Sequence, residues 1–287
     1  MKIIIFLLFI CSQGFSQTIN FKGKLLDKKT DEPIIYANIS FLKTNTGISS
    51  LEDGTFSLEI KESLLKEKVH VSCLNYKDTI VFAEELYNKT LFLEAKRFEL
   101  DEVVVSRSKK KIIILDKVKK RVTPFHTNVI RMIGKHFPNK LEGDFFIDMI
   151  KIYFAKRNSE KAKFRIRIFS VDKNTGKPKE DILTKSIPIS IEKGQKLVEL
   201  NLEEYYIEMP KNGVFVVFEK LMIPYNLYKT SLGGSEETVF YAPIVGLTKS
   251  KEFKDINRIY YFNKGNWHTI PYNDFSIVPA ISLTLSN

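Results

Sequence analysis

The chain predicts an all-β protein built from two β-sandwiches. Three observations carry that reading. Short runs with period-two alternation recur from Ile19 to Val105 and again from Gly143 onward, with no sustained helical period between them. Turn pairs such as Asp53-Gly54 and Asn212-Gly213 punctuate those runs. A length of 287 residues, 44% of them hydrophobic, supports a substantial core and favours two domains over one.

The first element is not structural. Met1-Lys2 is a positive start, Ile3 to Ile10 an apolar run, and Gly14-Phe15-Ser16 a small-x-small cleavage site, which together read as a cleavable signal peptide over residues 1–16. That run, like every later one, is shorter than the ~20 residues a membrane-spanning helix needs. Cys11 is not placed as a lipoprotein acceptor, because Ile10 stands where a small residue is required. Removal of the signal leaves Cys73 as the single cysteine, so an exported chain has no internal disulfide and relies on its core. A lone thiol in an apolar strand reads as a buried small hydrophobe.

The formal net charge is +11. An exported basic chain meets anionic glycans, lipid head groups or acidic partners, and nucleic acid is excluded by compartment and by the absence of a binding motif.

Strands are expected at Phe21–Leu26, Ile34–Leu42, on both sides of a Glu52-Asp53-Gly54 hairpin turn, and at Lys68–Leu74, Asp78–Phe82 and Lys89–Glu94. The expected core is Leu25, Ala37, Ile39, Phe41, Phe56, Leu58, Val69, Val71, Cys73 and Leu91 or Leu93. These residues resemble the carboxypeptidase-regulatory-like domain. The resemblance rests on Gly23-Lys-Leu-Leu-Asp27, Glu32-Pro33-Ile-Ile-Tyr-Ala37-Asn38-Ile39, Gly47 to Leu58, and Val71-Ser-Cys-Leu-Asn-Tyr76, where Asn75 replaces the family's glycine. Asn also visits the left-handed region, so the change is tolerable. The resemblance implies a transthyretin-like seven-stranded sandwich over residues 17–105. Leu100-Asp-Glu-Val-Val-Val105 is the sequence that introduces plug and barrel in TonB-dependent receptors, but the remaining chain is too short for such a barrel.

Residues 106–142 read as a basic linker. Lys109, Lys110, Lys111, Lys119, Lys120 and Arg121 flank Ile112-Ile-Ile-Leu115, a solvated run or an electrostatic dock for an anionic surface. Residues 143–287 read as a second, jelly-roll-like sandwich. In Lys163-Phe-Arg-Ile-Arg-Ile168, Phe164, Ile166 and Ile168 face a core and Arg165 and Arg167 face outward, to pair with Glu or Asp across strands or to hold an anion. Further strands are expected at Lys196–Leu202, Tyr205–Met209 and Val214–Glu219.

Catalytic signatures are missing. The family name invites a zinc peptidase, yet His70, His126, His136 and His268 are followed three places on by Cys73, Val129, Asn139 and Pro271, so no His-x-x-Glu pair exists. There is no Gly-x-Ser-x-Gly elbow and no Cys-His protease signature. Glu52-Asp53-Gly54 offers too few oxygen ligands for calcium. No cofactor or metal is implied. Rings beside expected loops remain, namely Trp267, Tyr228, Tyr241, Tyr261 and Tyr272, which either stack on sugars or pack as core. The expectation is an exported, non-enzymatic Gram-negative envelope protein, in the periplasm or at the outer membrane, whose partner is an envelope protein or a glycan. Carbohydrate binding through the C-terminal rings and a hydrolase with an unrecognised site are the alternatives.

Overall fold

The computed structural model describes residues 17–96, 111–118, 122–125, 132–155, 160–230, 238–250, 258–270 and 277–287. The signal-peptide segment, Leu100–Val105, Lys109, Lys110, Lys119, Lys120, Arg121 and Tyr272 lie outside the described residues.

The N-terminal domain has seven strands, β1 (Thr18–Asp27), β2 (Asn38–Phe41), β3 (Gly47–Ser49), β4 (Thr55–Lys61), β5 (Lys68–Ser72), β6 (Thr79–Phe82) and β7 (Thr90–Leu93). They form two sheets, ordered β4-β1-β7 and β3-β2-β5-β6. Alternation along β1 and β4 puts Phe21, Leu25, Phe56 and Ile60 on the inner face, against Ile39 and Phe41 of β2 and Val69 and Val71 of β5. Phe21 packs its ring 5.5 Å from Phe41 and 5.2 Å from Phe56, centroid to centroid, tying the two sheets together. Cys73 is buried in this core.

The Asp53-Gly54 turn is present, with Gly54 at φ +78°, but it does not close a hairpin. β3 pairs with β2 whereas β4 pairs with β1, so the turn carries the chain from one sheet to the other. Ser50 explains the departure. Its hydroxyl accepts from the Ala37 amide at 2.8 Å and donates to the Ile34 carbonyl at 2.6 Å, holding the segment after β3 beside the start of β2.

The C-terminal domain comprises β8 (Ile112–Leu115), β9 (Thr123–Pro124), β10 (Met132–Phe137), β11 (Phe146–Tyr153), β12 (Ala162–Val171), β13 (Pro178–Asp181), β14 (Pro188–Ile191) and β15 (Leu197–Asn201). It continues with β16 (Val214–Lys220), β17 (Leu227–Thr230), β18 (Thr238–Tyr241), β19 (Gly246–Lys249), β20 (Ile259–Asn263), β21 (Asn266–Ile270), β22 (Ile277–Pro279) and β23 (Ile281–Ser286). A seven-stranded sheet ordered β13-β12-β16-β10-β20-β21, with β14 also on β12, and a four-stranded sheet ordered β15-β11-β23-β8 are the two main layers. Ile147, Ile150 and Ile152 of β11 and Ile281, Leu283 and Leu285 of β23 share one core with Phe164, Ile166 and Ile168 of β12 and Val214, Val216 and Phe218 of β16.

Three further sequence expectations are corrected. The stretch 106–142 is not simply a linker, because β8 edges the four-stranded sheet and β10 lies in the interior of the seven-stranded one. The lysines around those strands mask a buried apolar pattern, and Lys135 of β10 is itself fully buried, paired with Asp116 at 2.6 Å. Tyr205–Met209 is not a strand: Glu203–Tyr205 forms a short 3-10 turn and Tyr206 takes φ +47°, which breaks the extended run. Arg165 and Arg167 do leave the core on the face opposite Phe164, but that face is covered by the N-terminal domain, and the two residues are 0% and 4% exposed.

Candidate functional site

The seam between the domains is where the unexplained chemistry collects. β12 and β16 run antiparallel with Arg165 opposite Glu219, which places a cation and an anion side by side on the face turned toward the N-terminal domain. Arg165 Nε donates to Glu219 Oε2 at 2.7 Å. Arg167 donates from Nε to Asp181 Oδ1 at 2.8 Å and from Nη2 to Asp181 Oδ2 at 2.5 Å, and its Nη1 lies 3.9 Å from Glu219 Oε1. All four charged groups are buried. Burial pushes the Glu219 carboxyl up, but Arg165 and then Arg167 outweigh it and hold it below the usual glutamate value.

Arg165 also crosses the seam. Its Nη2 donates to the Tyr36 carbonyl at 3.1 Å, and its Nη1 reaches Ser186 Oγ at 3.1 Å. Around it, the Ser49 amide donates to the Met222 carbonyl at 3.1 Å, and the Met222 amide donates to Ser49 Oγ at 2.9 Å. Asn75 Nδ2 donates to the Thr184 carbonyl. Tyr36, Leu221 and Ile223, with Leu51 against them, form a small apolar cluster that draws on both domains. Cys73 lies 3.9 Å from Arg165 Nη1, and burial pushes its thiol up, the opposite of what a nucleophile needs.

Two concavities open along this seam. The first is a cleft of about 170 Å³, lined from one side by Ser72, Asp78 and Lys96 and from the other by residues that include Arg167, Phe169, Phe262 and Trp267. Trp267 comes from β21, immediately after a two-residue turn in which Lys264 and Gly265 both have positive φ. Its ring meets Phe262 at 5.4 Å and Phe169 at 5.6 Å, both edge-on, so it is fixed rather than loose. His70 closes the same region: its ring lies 5.6 Å from Phe262, and Nε2 is 3.1 Å from Asp78 Oδ2. Burial pushes Asp78 up, and the hydrogen bond and charge of His70 more than reverse it, leaving the carboxyl lowered.

The second concavity is a groove of about 440 Å³ lined by Tyr36, Leu51, Glu52, Asp53, Lys163, Ile223, Pro224 and Tyr225. Tyr36 donates its hydroxyl to Glu52 at 2.6 Å, and Lys163 pairs with Glu52 at 2.7 Å while lying 5.6 Å from the ring centroid of Tyr225. Tyr225 is 54% exposed.

The ring residues expected to bind ligand do not form one site. Trp267 alone lines the seam cleft. Tyr261 shares its hairpin but stacks on His268 at 5.2 Å, beside rather than with the Phe262–Trp267 pair. Tyr228 and Tyr241 lie on the separate β17–β18 ribbon, where Tyr228 packs against Phe240 at 5.9 Å and burial pushes its phenol up. Of the basic run, Lys111 is described and exposed, its amide donating to Asn287 Oδ1 at 2.9 Å. Sequence reasoning missed Ser72, Asp78, Lys96 and Tyr225 as site residues. Glu219 at the end of the apolar run Val214–Phe218 was the available signal for the buried network, since a carboxylate there needs a partner. Among the described residues, no group of three or more His, Cys, Asp or Glu is arranged to hold a metal ion. No helix among them is long and apolar enough to cross a membrane.

The fold and seam define a two-sandwich β protein whose N-terminal module is packed onto its C-terminal domain through buried charges. Residues 21–105 match the family model of the CarboxypepD_reg-like domain, and the N-terminal sandwich is such a domain. Among solved structures, the chain is similar to the cysteine protease and lectin-like domains of Cwp84, a surface layer associated protein of Clostridium difficile. That likeness has 12% identity and a TM-score of 0.34 over 68% of this chain, which spans 42% of the other, and it carries no functional argument. No curated protein matches the chain.

Proposed function

We propose that the chain is an exported, non-enzymatic envelope protein that binds a partner through surfaces built jointly by its two domains. The observation that carries this reading is Arg165, fully buried, which pairs with Glu219 in its own domain and donates to the Tyr36 carbonyl in the other. A module held this way is a component of the binding surface and not a spacer. Both seam concavities draw residues from both domains. The exposed ring of Tyr225 beside Glu52, Asp53 and Lys163 offers an amphipathic contact of the kind that anchors protein partners.

The test is photo-cross-linking in intact envelopes, with the cross-linker at Tyr225 and, as control, at exposed Phe92 on β7, in the other sheet of the N-terminal sandwich. A discrete adduct from position 225 alone supports the reading. Turnover of envelope polymers or peptides by the purified mature chain overturns the non-enzymatic part.

Carbohydrate binding is the second reading, and Trp267 favours it, because that ring lines a cleft together with charged groups from both domains.

A further inference from the structure

We infer that the seam cleft is a binding site for one acidic sugar residue, a pyranose ring that carries a carboxylate. The inference rests on the carbohydrate reading and narrows it to a site and a ligand class. Its first support is size and wall. A cavity of about 150 Å³ holds one six-membered ring, and this cleft is about 170 Å³ with Trp267, Phe262 and Phe169 on one side. Aromatic walls suit the C–H faces of a pyranose, and the edge-on contacts between Trp267 and its two neighbours keep the wall rigid.

The second support is an unused hydroxyl. Ser72 is 3% exposed, lines the cleft, and its Oγ has no hydrogen-bond partner. A buried hydroxyl without a partner carries a desolvation cost that a ligand hydroxyl would relieve.

The third support is the charge left after internal pairing. Arg167 is held by both oxygens of Asp181, and Asp78 is engaged by His70. Lys96 acts electrostatically on Asp78, and Lys179 on Asp172 and on exposed Glu180 at 3.8 Å, but with Arg167 they make three cations in the cleft lining against the two carboxylates of Asp78 and Asp181, an excess of one positive charge. Two ammonium groups beside a ring-sized aromatic slot select a carboxylate-bearing ring over its neutral parent, while Ser72 remains for its hydroxyls.

The test uses the full mature chain, with Trp267 emission as the readout. Glucuronate and galacturonate are titrated beside glucose and galactose, and a glycan array containing both uronic-acid and neutral termini is run in parallel. Saturable binding of a hexuronate at least tenfold tighter than its neutral parent is the expected result. Lys96→Met should remove most of that preference, and Ser72→Leu, which fills the cleft, should abolish binding by both. Ser72→Ala separates site from fold: it deletes an unpartnered group, so the melting temperature holds or rises while hexuronate binding weakens several-fold. Array binding that survives Ser72→Leu, or that shows no preference for acidic termini, overturns this inference and leaves the carbohydrate reading standing. A blank array together with flat titrations overturns both.

Discussion

Glu219 is the residue on which the seam depends most. Glu219→Gln keeps the volume and one acceptor but leaves Arg165 and the Nη1 side of Arg167 without their shared counter-charge in a buried site. Removing one partner of a buried ion pair costs about 3–5 kcal/mol. For domains of this size, each kcal/mol shifts the melting temperature by roughly 2–4 °C, so a fall of about 6–20 °C is expected. Thermal unfolding followed by near-ultraviolet circular dichroism measures it, and Glu180→Gln, on an exposed side chain, is the control expected to stay within about 0.5 kcal/mol. Replacing both partners, as Arg165→Met with Glu219→Leu, should cost less than Glu219→Gln alone, because no buried charge is stranded. The sign with pH follows from the lowered Glu219 carboxyl. Its contribution is complete above the unfolded-state value of about 4.3 and is lost as pH falls through the folded value. Wild type should therefore lose stability on the acid side more steeply than Glu219→Gln. A Glu219→Gln protein within about 1 kcal/mol of wild type at pH 7 would refute the claim that the network is buried and coupled.

The remaining predictions concern backbone and burial. Gly54→Ala forces a Cβ to 2.5 Å from the Leu25 carbonyl at φ +78°, so a loss of more than about 2 kcal/mol in urea unfolding is expected. Gly265→Ala also sits at positive φ, but its Cβ meets nothing closer than Leu42 Cδ2 at 3.6 Å, so only the backbone strain of about 1 kcal/mol should appear. Equal losses for the two variants would contradict the close approach at Gly54. Burial lowers Lys220 to about 8. Between there and its unfolded value the unfolded chain holds more protons, so wild-type stability rises from pH 8 toward 10. The stability of Lys220→Met relative to wild type should therefore fall from pH 8 toward pH 10, because the variant lacks that titration. A difference independent of pH, read from urea midpoints, would show that Lys220 is not held back by desolvation. Asn75→Gly should keep the left-handed backbone while losing the side-chain bond to Thr184, for a net change near about 1 kcal/mol or less.

Local chemistry was legible in the sequence and long-range pairing was not. Asp53-Gly54 announces a turn because positive φ is a property of the residue, but which strand each arm joins depends on Ser50 bonding to Ile34 and Ala37, more than a dozen positions earlier. Alternation in β12 correctly put Phe164, Ile166 and Ile168 inside. It also put Arg165 and Arg167 on the opposite face, and water was the default assumption for that face. Nothing within β12 shows that a second domain covers it. The β10 strand is masked for a related reason: Lys135 and His136 interrupt its apolar pattern, and the groups that receive the buried Lys135 ammonium, Asp116 and the Ile281 carbonyl, lie far away in sequence or on another strand. Trp267 could be singled out from its neighbours in the hairpin, while Ser72, Asp78 and Lys96 belong to a different domain and look ordinary in their own strands and loops.

Asn75 connects the two levels. The carboxypeptidase-regulatory-like pattern has glycine there, and the backbone does take φ +71°, where glycine carries no steric cost. If the N-terminal module were independent, glycine would serve better, because asparagine accepts some strain at that φ for nothing in return. In the assembled chain the Asn75 side chain donates across the seam to the Thr184 carbonyl, on the loop that follows Asp181 and precedes Ser186, two residues whose side chains hold Arg167 and Arg165. The substitution that departs from the family therefore lies at a point where the module touches the loop organising the buried charges. A residue that fits its own domain slightly less well, and its neighbour's surface better, is what a module adapted to permanent docking should carry.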